Sequence, residues 1–140
     1  MKLKFQKIKS EATIPTQANK TDAGFDLYSL EDKVLQPGKQ YNFPIGIKSE
    51  IPDGYFVQIN PKSGLAVKAG IDTLAGVIDS GFRGEWVIAI INFGIEAYEF
   101  KKGDKIAQGI LLPVPVVEIV ESDDFSGSER GDKAFGSSGR

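Results

Sequence analysis

The chain has 140 residues, with 17 basic against 19 acidic side chains, a formal net charge of -2, 41% apolar residues and 26% charged residues. This is the size and composition of one globular domain: too apolar for a disordered chain, lacking any window of ~20 apolar residues to span a bilayer, and without a broad positive field to hold a nucleic-acid polymer. Cysteine and histidine are both absent, which excludes disulfides, Cys-zinc sites, thiol nucleophiles and imidazole bases and leaves proton transfer to a carboxylate, lysine or tyrosine.

The N-terminal run from Met1 to Lys9 alternates lysine with apolar residues and lacks the uninterrupted apolar stretch of a secretory signal. It reads as an edge strand, and the cytoplasm is the default location, with a nucleus permitted in a eukaryote. Next comes Ala23-Gly24-Phe25-Asp26-Leu27-Tyr28-Ser29, where an acid stands between apolar residues of a strand. Its period of two puts Asp26 on the face opposite Phe25 and Leu27, as in any alternating strand with a solvated acid.

Sixteen glycines and seven prolines punctuate short β-rich runs: Gln40 to Phe43, Gly46 to Glu50, Tyr55 to Asn60, Trp86 to Asn92, Ile106 to Leu112 and Val116 to Val120. Even, close spacing of short strands points to an all-β sandwich or barrel. The Trp86 to Ile91 run is apolar on both faces, so its second face needs cover, and a neighbouring subunit could supply it. One short helix is expected over Ser63 to Ala69, opened by Ser63 as its cap. In Pro61-Lys62-Ser63-Gly64-Leu65-Ala66 that cap, a lysine and an unobstructed glycine suit a phosphate, although an ordinary capped turn has the same composition.

Ala75-Gly76-Val77-Ile78-Asp79-Ser80-Gly81-Phe82-Arg83-Gly84-Glu85 reads as a hairpin whose apolar arm ends in a carboxylate, with an aromatic three residues on. It could form a pocket wall, or be a plain hairpin with a turn aspartate. Lys102-Gly103-Asp104-Lys105-Ile106-Ala107-Gln108-Gly109-Ile110 is a tight turn feeding a buried strand, in which Gln108 must find partners or cost about 1 to 3 kcal/mol. From about Asp123 the composition turns to Ser, Gly, Asp, Lys and Arg, so residues 1-122 are expected to form the β-barrel domain and residues 123-140 a flexible C-terminal arm. Phe135, between Ala134 and Gly136, is the one aromatic of its last ten residues.

Taken singly, each of these segments has an ordinary structural explanation. In this order, from about residue 20 to the C-terminus, they resemble the five motifs of the trimeric dUTPase family, carried by Ala23 to Leu27, Pro61 to Ala66, Gly76 to Asp79, Gly103 to Gln108, and Arg130-Gly131 with Phe135 to Gly139. The resemblance implies a jelly-roll-like β-barrel, a homotrimer, and hydrolysis of dUTP to dUMP and pyrophosphate with Mg2+ on the phosphates. That reaction limits uracil incorporation into DNA and supplies dUMP for dTMP synthesis.

Carried over residue by residue, the resemblance makes Asp79 the base that activates the attacking water. It makes Asp26 the carboxylate that holds Mg2+ through water, and Lys62, Ser63, Gly64, Gln108, Arg130 and Ser137 the phosphate-side residues. Uracil is expected on the backbone around Gly76, Val77 and Ile78, the sugar on Phe82, and Phe135 with Gly136 over the base when the arm closes. In that family one chain contributes the first, second and fourth motifs, a neighbour the hairpin, and a third chain the arm.

The chain departs from the family pattern at several positions. Lys62 stands for the usual arginine, Phe82 for tyrosine, Gly81 for an acidic residue, Asp132-Lys133-Ala134 for a more glycine-rich stretch, and Asp72-Thr73-Leu74 lacks an asparagine or histidine. Two other readings compete: dCTP deaminase, which shares the fold but needs a glutamate in the base pocket, and a regulatory protein that keeps the nucleotide pocket and acts through a partner.

Overall fold

The computed structural model describes residues 1–136, 138 and 139. Ser137, one of the expected phosphate ligands, lies outside the described residues. Eleven strands and one short helix form a jelly-roll-like all-β fold. In chain order these are β1 (Lys4–Lys7), β2 (Phe25–Tyr28), β3 (Lys33–Leu35), β4 (Gln40–Pro44), β5 (Ile47–Glu50), β6 (Tyr55–Asn60), α1 (Ser63–Ala69), β7 (Ile71–Leu74), β8 (Val77–Asp79), β9 (Val87–Asn92), β10 (Tyr98–Phe100) and β11 (Lys105–Pro113).

A four-stranded sheet in the order β2-β11-β6-β8 carries Asp26, Val77, Ile78, Asp79 and Gln108 of the expected site residues. A three-stranded sheet β4-β9-β7 and the pairs β1-β5 and β10-β3 complete the fold, every pairing antiparallel. Each sheet sends apolar side chains into one core: Leu27 and Val57 from the first, Phe43, Ile88 and Ile90 from the second, Ile47 and Phe100 from the two pairs. Trp86 is fully buried, and its indole N–H donates to the Ser49 hydroxyl at 3.1 Å, so the largest core side chain leaves no polar group unpaired.

β9 shows why the Trp86 to Ile91 run is apolar throughout. Trp86, Ile88 and Ile90 point into the core, whereas Val87, on the opposite face, is 49% exposed within one protomer. The cover expected for that second face is not supplied by the chain itself.

Two expectations need correction. Lys62, not Ser63, is the N-cap of α1, and no side chain closes the cap; Ser63 is already the first helical residue. The strand expected over Val116 to Val120 does not form, and β11, which ends at Pro113, is the last strand among the described residues. Val114 is still tied by its N–H to the Gly54 carbonyl at 2.8 Å. Beyond it Pro115 has no N–H to give a ladder, and Val116, 100% exposed, has no partner strand in the protomer.

Candidate active site

Gln108 is the hub that joins three of the five segments. In the middle of β11 it stands opposite Asp26 of β2 on one side and Asn60 of β6 on the other. Its amide donates to the Pro61 carbonyl at 2.9 Å, pinning the point where β6 hands over to α1. Gly24 makes room for it: a Cβ at that position would lie 2.6 Å from the Gln108 side-chain oxygen. The glutamine that interrupts an apolar run is therefore a connector between the segments around Asp26 and Lys62.

Asp26 is not the solvated acid that strand alternation suggests. It is 6% exposed, and both carboxylate oxygens are taken, one by the Lys62 ammonium and the other by Lys105 at 2.7 Å. Burial on its own pushes the acid up, but the hydrogen bonds from Lys105 and Lys62 outweigh it and hold Asp26 below the ordinary 3.8. The same contact raises Lys105 above its ordinary 10.5.

Lys105 reaches that carboxylate because of a β-bulge. Gln108 pairs with Asp26 and Ala107 with Leu27, yet it is Lys105, not Ile106, that pairs with Tyr28. The extra residue turns Lys105 to the face that Asp26 and Tyr28 share, while Ile106 and Ala107 both enter the core. Sequence reasoning missed Lys105 as a site residue. The available signal was two consecutive apolar residues after a turn lysine, which breaks strict alternation.

Beside this cluster is a cavity of about 360 Å³ lined by Lys62, Gly64, Leu65, Lys68, Tyr98 and Lys105 among others. Three ammonium groups around one opening favour an anion. Ser63 and Gly64 are exposed at the start of α1, on the same stretch.

The hairpin stands apart from these residues. β8 lies at the edge of the sheet, paired to β6 only, with Val77 opposite Gln58, Ile78 opposite Val57 and Asp79 opposite Phe56. The Gly76 carbonyl is spent inside the protomer, accepting from the Ile59 N–H at 2.7 Å and the Gln58 amide at 3.2 Å. Gly76 needs to be glycine, since its φ is +116° and a Cβ would sit 3.0 Å from the Ile59 carbonyl oxygen. Ladder alternation then turns the N–H and C=O of Val77 outward, along the unpaired edge. Before this strand Ala75 holds a φ of +60°, a left-handed conformation that a non-glycine residue adopts only under constraint.

Asp79 is exposed at the end of β8, and its carbonyl accepts from the Phe82 N–H at 3.1 Å, closing the turn. Phe82 lies folded over Gly84, where a Cβ would meet the ring at 2.6 Å, so the glycine two residues on fixes the ring's pose. The Arg83 guanidinium caps the same turn, donating to the Ser80 and Phe82 carbonyls at 2.5 and 3.0 Å.

Within one chain, Asp79 and the lysine cluster are far apart. Asp79 faces Phe56, four residues before Asn60, a span of roughly 14 Å along the strand, and β8 and β2 lie at opposite edges of the sheet, roughly another 14 Å across. The described residues of the C-terminal arm likewise make no hydrogen bond or ion pair with either group. The arm curls on itself: the Arg130 guanidinium donates to the Lys133 carbonyl at 2.9 Å, and Phe135 projects fully exposed beside Gly136.

Among the described residues no three His, Cys, Asp or Glu side chains come close enough to hold a metal ion. Asp26 is the one carboxylate in the lysine cluster. This donor set does not make a protein cage; it fits Mg2+ held by phosphate oxygens and through its own waters, which is the mode that small, strongly hydrated cation favours. No helix among the described residues is long and apolar enough to cross a membrane.

A sequence model of dUTPase matches residues 10–139. The chain belongs to the dUTPase family. Among curated members it is 47% identical over 142 residues to the deoxyuridine 5'-triphosphate nucleotidohydrolase of Nautilia profundicola, covering all of both chains, and 44% identical to that of Clostridium tetani, covering 99% of this chain and 97% of the relative. In three dimensions it resembles the dUTPase of Staphylococcus bacteriophage 80alpha with dUpNHpp, with a TM-score of 0.92, 29% identity and 99% of each chain covered. It also resembles a mutant dUTPase of phage phi11 of S. aureus, whose structure details the coordination of a structural Mg(II) ion. There the TM-score is 0.82 with 26% identity, over 89% of this chain and 99% of that one.

Proposed function

We propose that this protein is a dUTP diphosphatase that hydrolyses dUTP to dUMP and pyrophosphate, with Asp79 of one chain acting on phosphates held by another. The observation that carries this reading is the edge strand β8. Its unpaired side offers the N–H and C=O of Val77 as an adjacent donor and acceptor, and its end carries the exposed carboxylate of Asp79.

Uracil matches that edge, because its O4 accepts and its N3–H donates. Cytosine reverses both, leaving a buried mismatched pair that costs a few kcal/mol. The Gly76 carbonyl already accepts from the Ile59 N–H, which supports Val77 as the residue that offers the base its acceptor. Phe82 packs beneath the deoxyribose and leaves no space for a 2'-hydroxyl.

Asp79 orients the attacking water and takes its proton as the oxygen closes on the α-phosphorus. Lys62, with Ser63, Gly64 and Gln108, holds the phosphate oxygens and disperses about four negative charges. Mg2+, when bound, would neutralise and polarise those oxygens, and Asp26 would hold it through its waters. Arg130, Phe135, Gly136 and Ser137 of a third chain close over the nucleotide and exclude bulk water.

A homotrimer is supported by what one protomer leaves unfinished. The span between Asp79 and Lys62 is too long for one nucleotide to serve both within a chain. The Val87 face of β9 is half covered, and the apolar segment from Val116 to Val120 is exposed.

A pyrophosphate-release assay across dUTP and the four standard deoxynucleoside triphosphates, with Mg2+, tests the reading. Release from dUTP alone is expected. Release of ammonia from dCTP would replace the reading with a deaminase.

A further inference from the structure

Lys105 stands at the centre of the chemistry and has no assigned task. A bulge, a costly local irregularity, turns it to the face of Asp26. Its ammonium takes the second oxygen of a carboxylate whose first oxygen Lys62 already holds. With two ammoniums on one carboxylate the cluster has one net positive charge, and the acid, buried with an ammonium on each oxygen, is shielded from a cation and from a cation's water. Lys105 is half exposed and borders the cavity shared with Lys62 and Lys68, so it has somewhere to go when an anion arrives.

We propose that Lys105 keeps Asp26 closed to free divalent cations, and that the acid opens only when a nucleoside triphosphate draws the Lys105 ammonium away. The exchange balances in charge. A triphosphate brings about four negative charges into the cavity, more than the single carboxylate offers, and the ammonium moves to the phosphates. Asp26, relieved of one partner, then has an oxygen for the waters of a cation that enters with the nucleotide. Lys105 is therefore a positioning residue: it acts through Asp26, and it sets the order in which nucleotide and cation are accepted. The inference rests on the dUTPase reading for the identity of the anion.

The test is a Mg2+ titration of nucleotide-free protein followed by calorimetry, repeated with Mn2+ as a paramagnetic probe. Wild-type protein should show no saturable site. Lys105→Gln should bind the cation at least about tenfold more tightly, since a unit charge a few Å from the site is gone. Lys105→Arg keeps a cation there and should behave as wild type. Equal affinities for wild type and Lys105→Gln, or a saturable site in the wild type, overturn the proposal.

One readout is made on the wild type itself. In 15N spectra of the wild type, the Lys105 Nζ signal, told apart from that of Lys62 by its loss in Lys105→Gln, should shift when dUpNHpp and Mg2+ are added together and stay in place with Mg2+ alone. A shift with Mg2+ alone overturns the proposal. Because the titration contains no nucleotide, it is decided independently of the hydrolysis assay: a protein that fails to cleave dUTP loses the functional reading, whereas equal cation affinities remove this inference only.

Discussion

Asp79 and Asp26 are both carboxylates on the same sheet, and their surroundings are opposite. Asp79 is exposed, with no lysine or arginine salt-bridged to its carboxylate among the described residues, and so is available to a water. Replacing it by asparagine should lower kcat by about 100-fold or more while leaving the affinity for dUpNHpp within a few-fold of wild type, as measured by single-turnover kinetics and calorimetry. Asp26 is buried and doubly paired, and its loss would leave two ammoniums facing one another. Asp26→Asn should therefore lower stability at neutral pH by about 1 to 3 kcal/mol, less than a fully buried pair would give because both lysines are partly in water. Its folded-state value lies below the ordinary 3.8, so its contribution is complete above that value and is lost as pH falls through the lower folded one. In thermal melts the gap between wild type and Asp26→Asn should hold from neutrality to about pH 5 and close below pH 3.8; a gap that persists in acid contradicts the ion-pair account. The sequence pattern by itself left Asp79 open as a plain turn aspartate, and only the family resemblance gave it a role. Lys105 was not legible, because one inserted residue in a strand reverses which face a side chain takes.

Among the elements, the strands with strong β-branched character were legible to within a residue or two: β6 over Tyr55–Asn60 as expected, β9 from Val87 instead of Trp86. Propensity failed at Val116 to Val120, where the sequence is strand-like but the segment pairs with no strand among the described residues. The start of α1 failed for a related reason. A serine after Pro61-Lys62 looks like a cap, yet Lys62 takes the extended cap position with ψ 129°. The other end of α1 makes a sharper prediction. Gly70 closes the helix at φ +69°, and Gly94, in the loop after β9, approaches so closely that a Cβ would lie 2.3 Å from the Ala69 carbonyl oxygen. The opposing atom is backbone and cannot swing aside. Gly94→Ala should destabilise the fold by about 1 to 3 kcal/mol in urea titrations. Gly81→Ala, where nothing lies within 4 Å, should leave the urea midpoint unchanged.

The whole molecule is where the sequence said most by resemblance and least by physics. One sheet holds the segments around Asp26, Lys62 and Gln108 at one end and Asp79 at the other, and the described residues from Arg130 onward bond only within the arm. Three separated parts of one chain make sense as one site if three copies assemble. Truncation before Arg130 should leave the melting temperature and the number of subunits per sedimenting particle unchanged, because the described residues of the arm are all exposed, yet hydrolysis should be nearly lost. That variant and Asp79→Asn provide the most direct test of the central claim. Each is expected to be inactive alone. Co-refolded in equal amounts, they should regain roughly one quarter of the wild-type rate, since that share of randomly assembled sites pairs an intact Asp79 from one chain with an intact arm from another. A mixture as inactive as its components would contradict a site shared between chains.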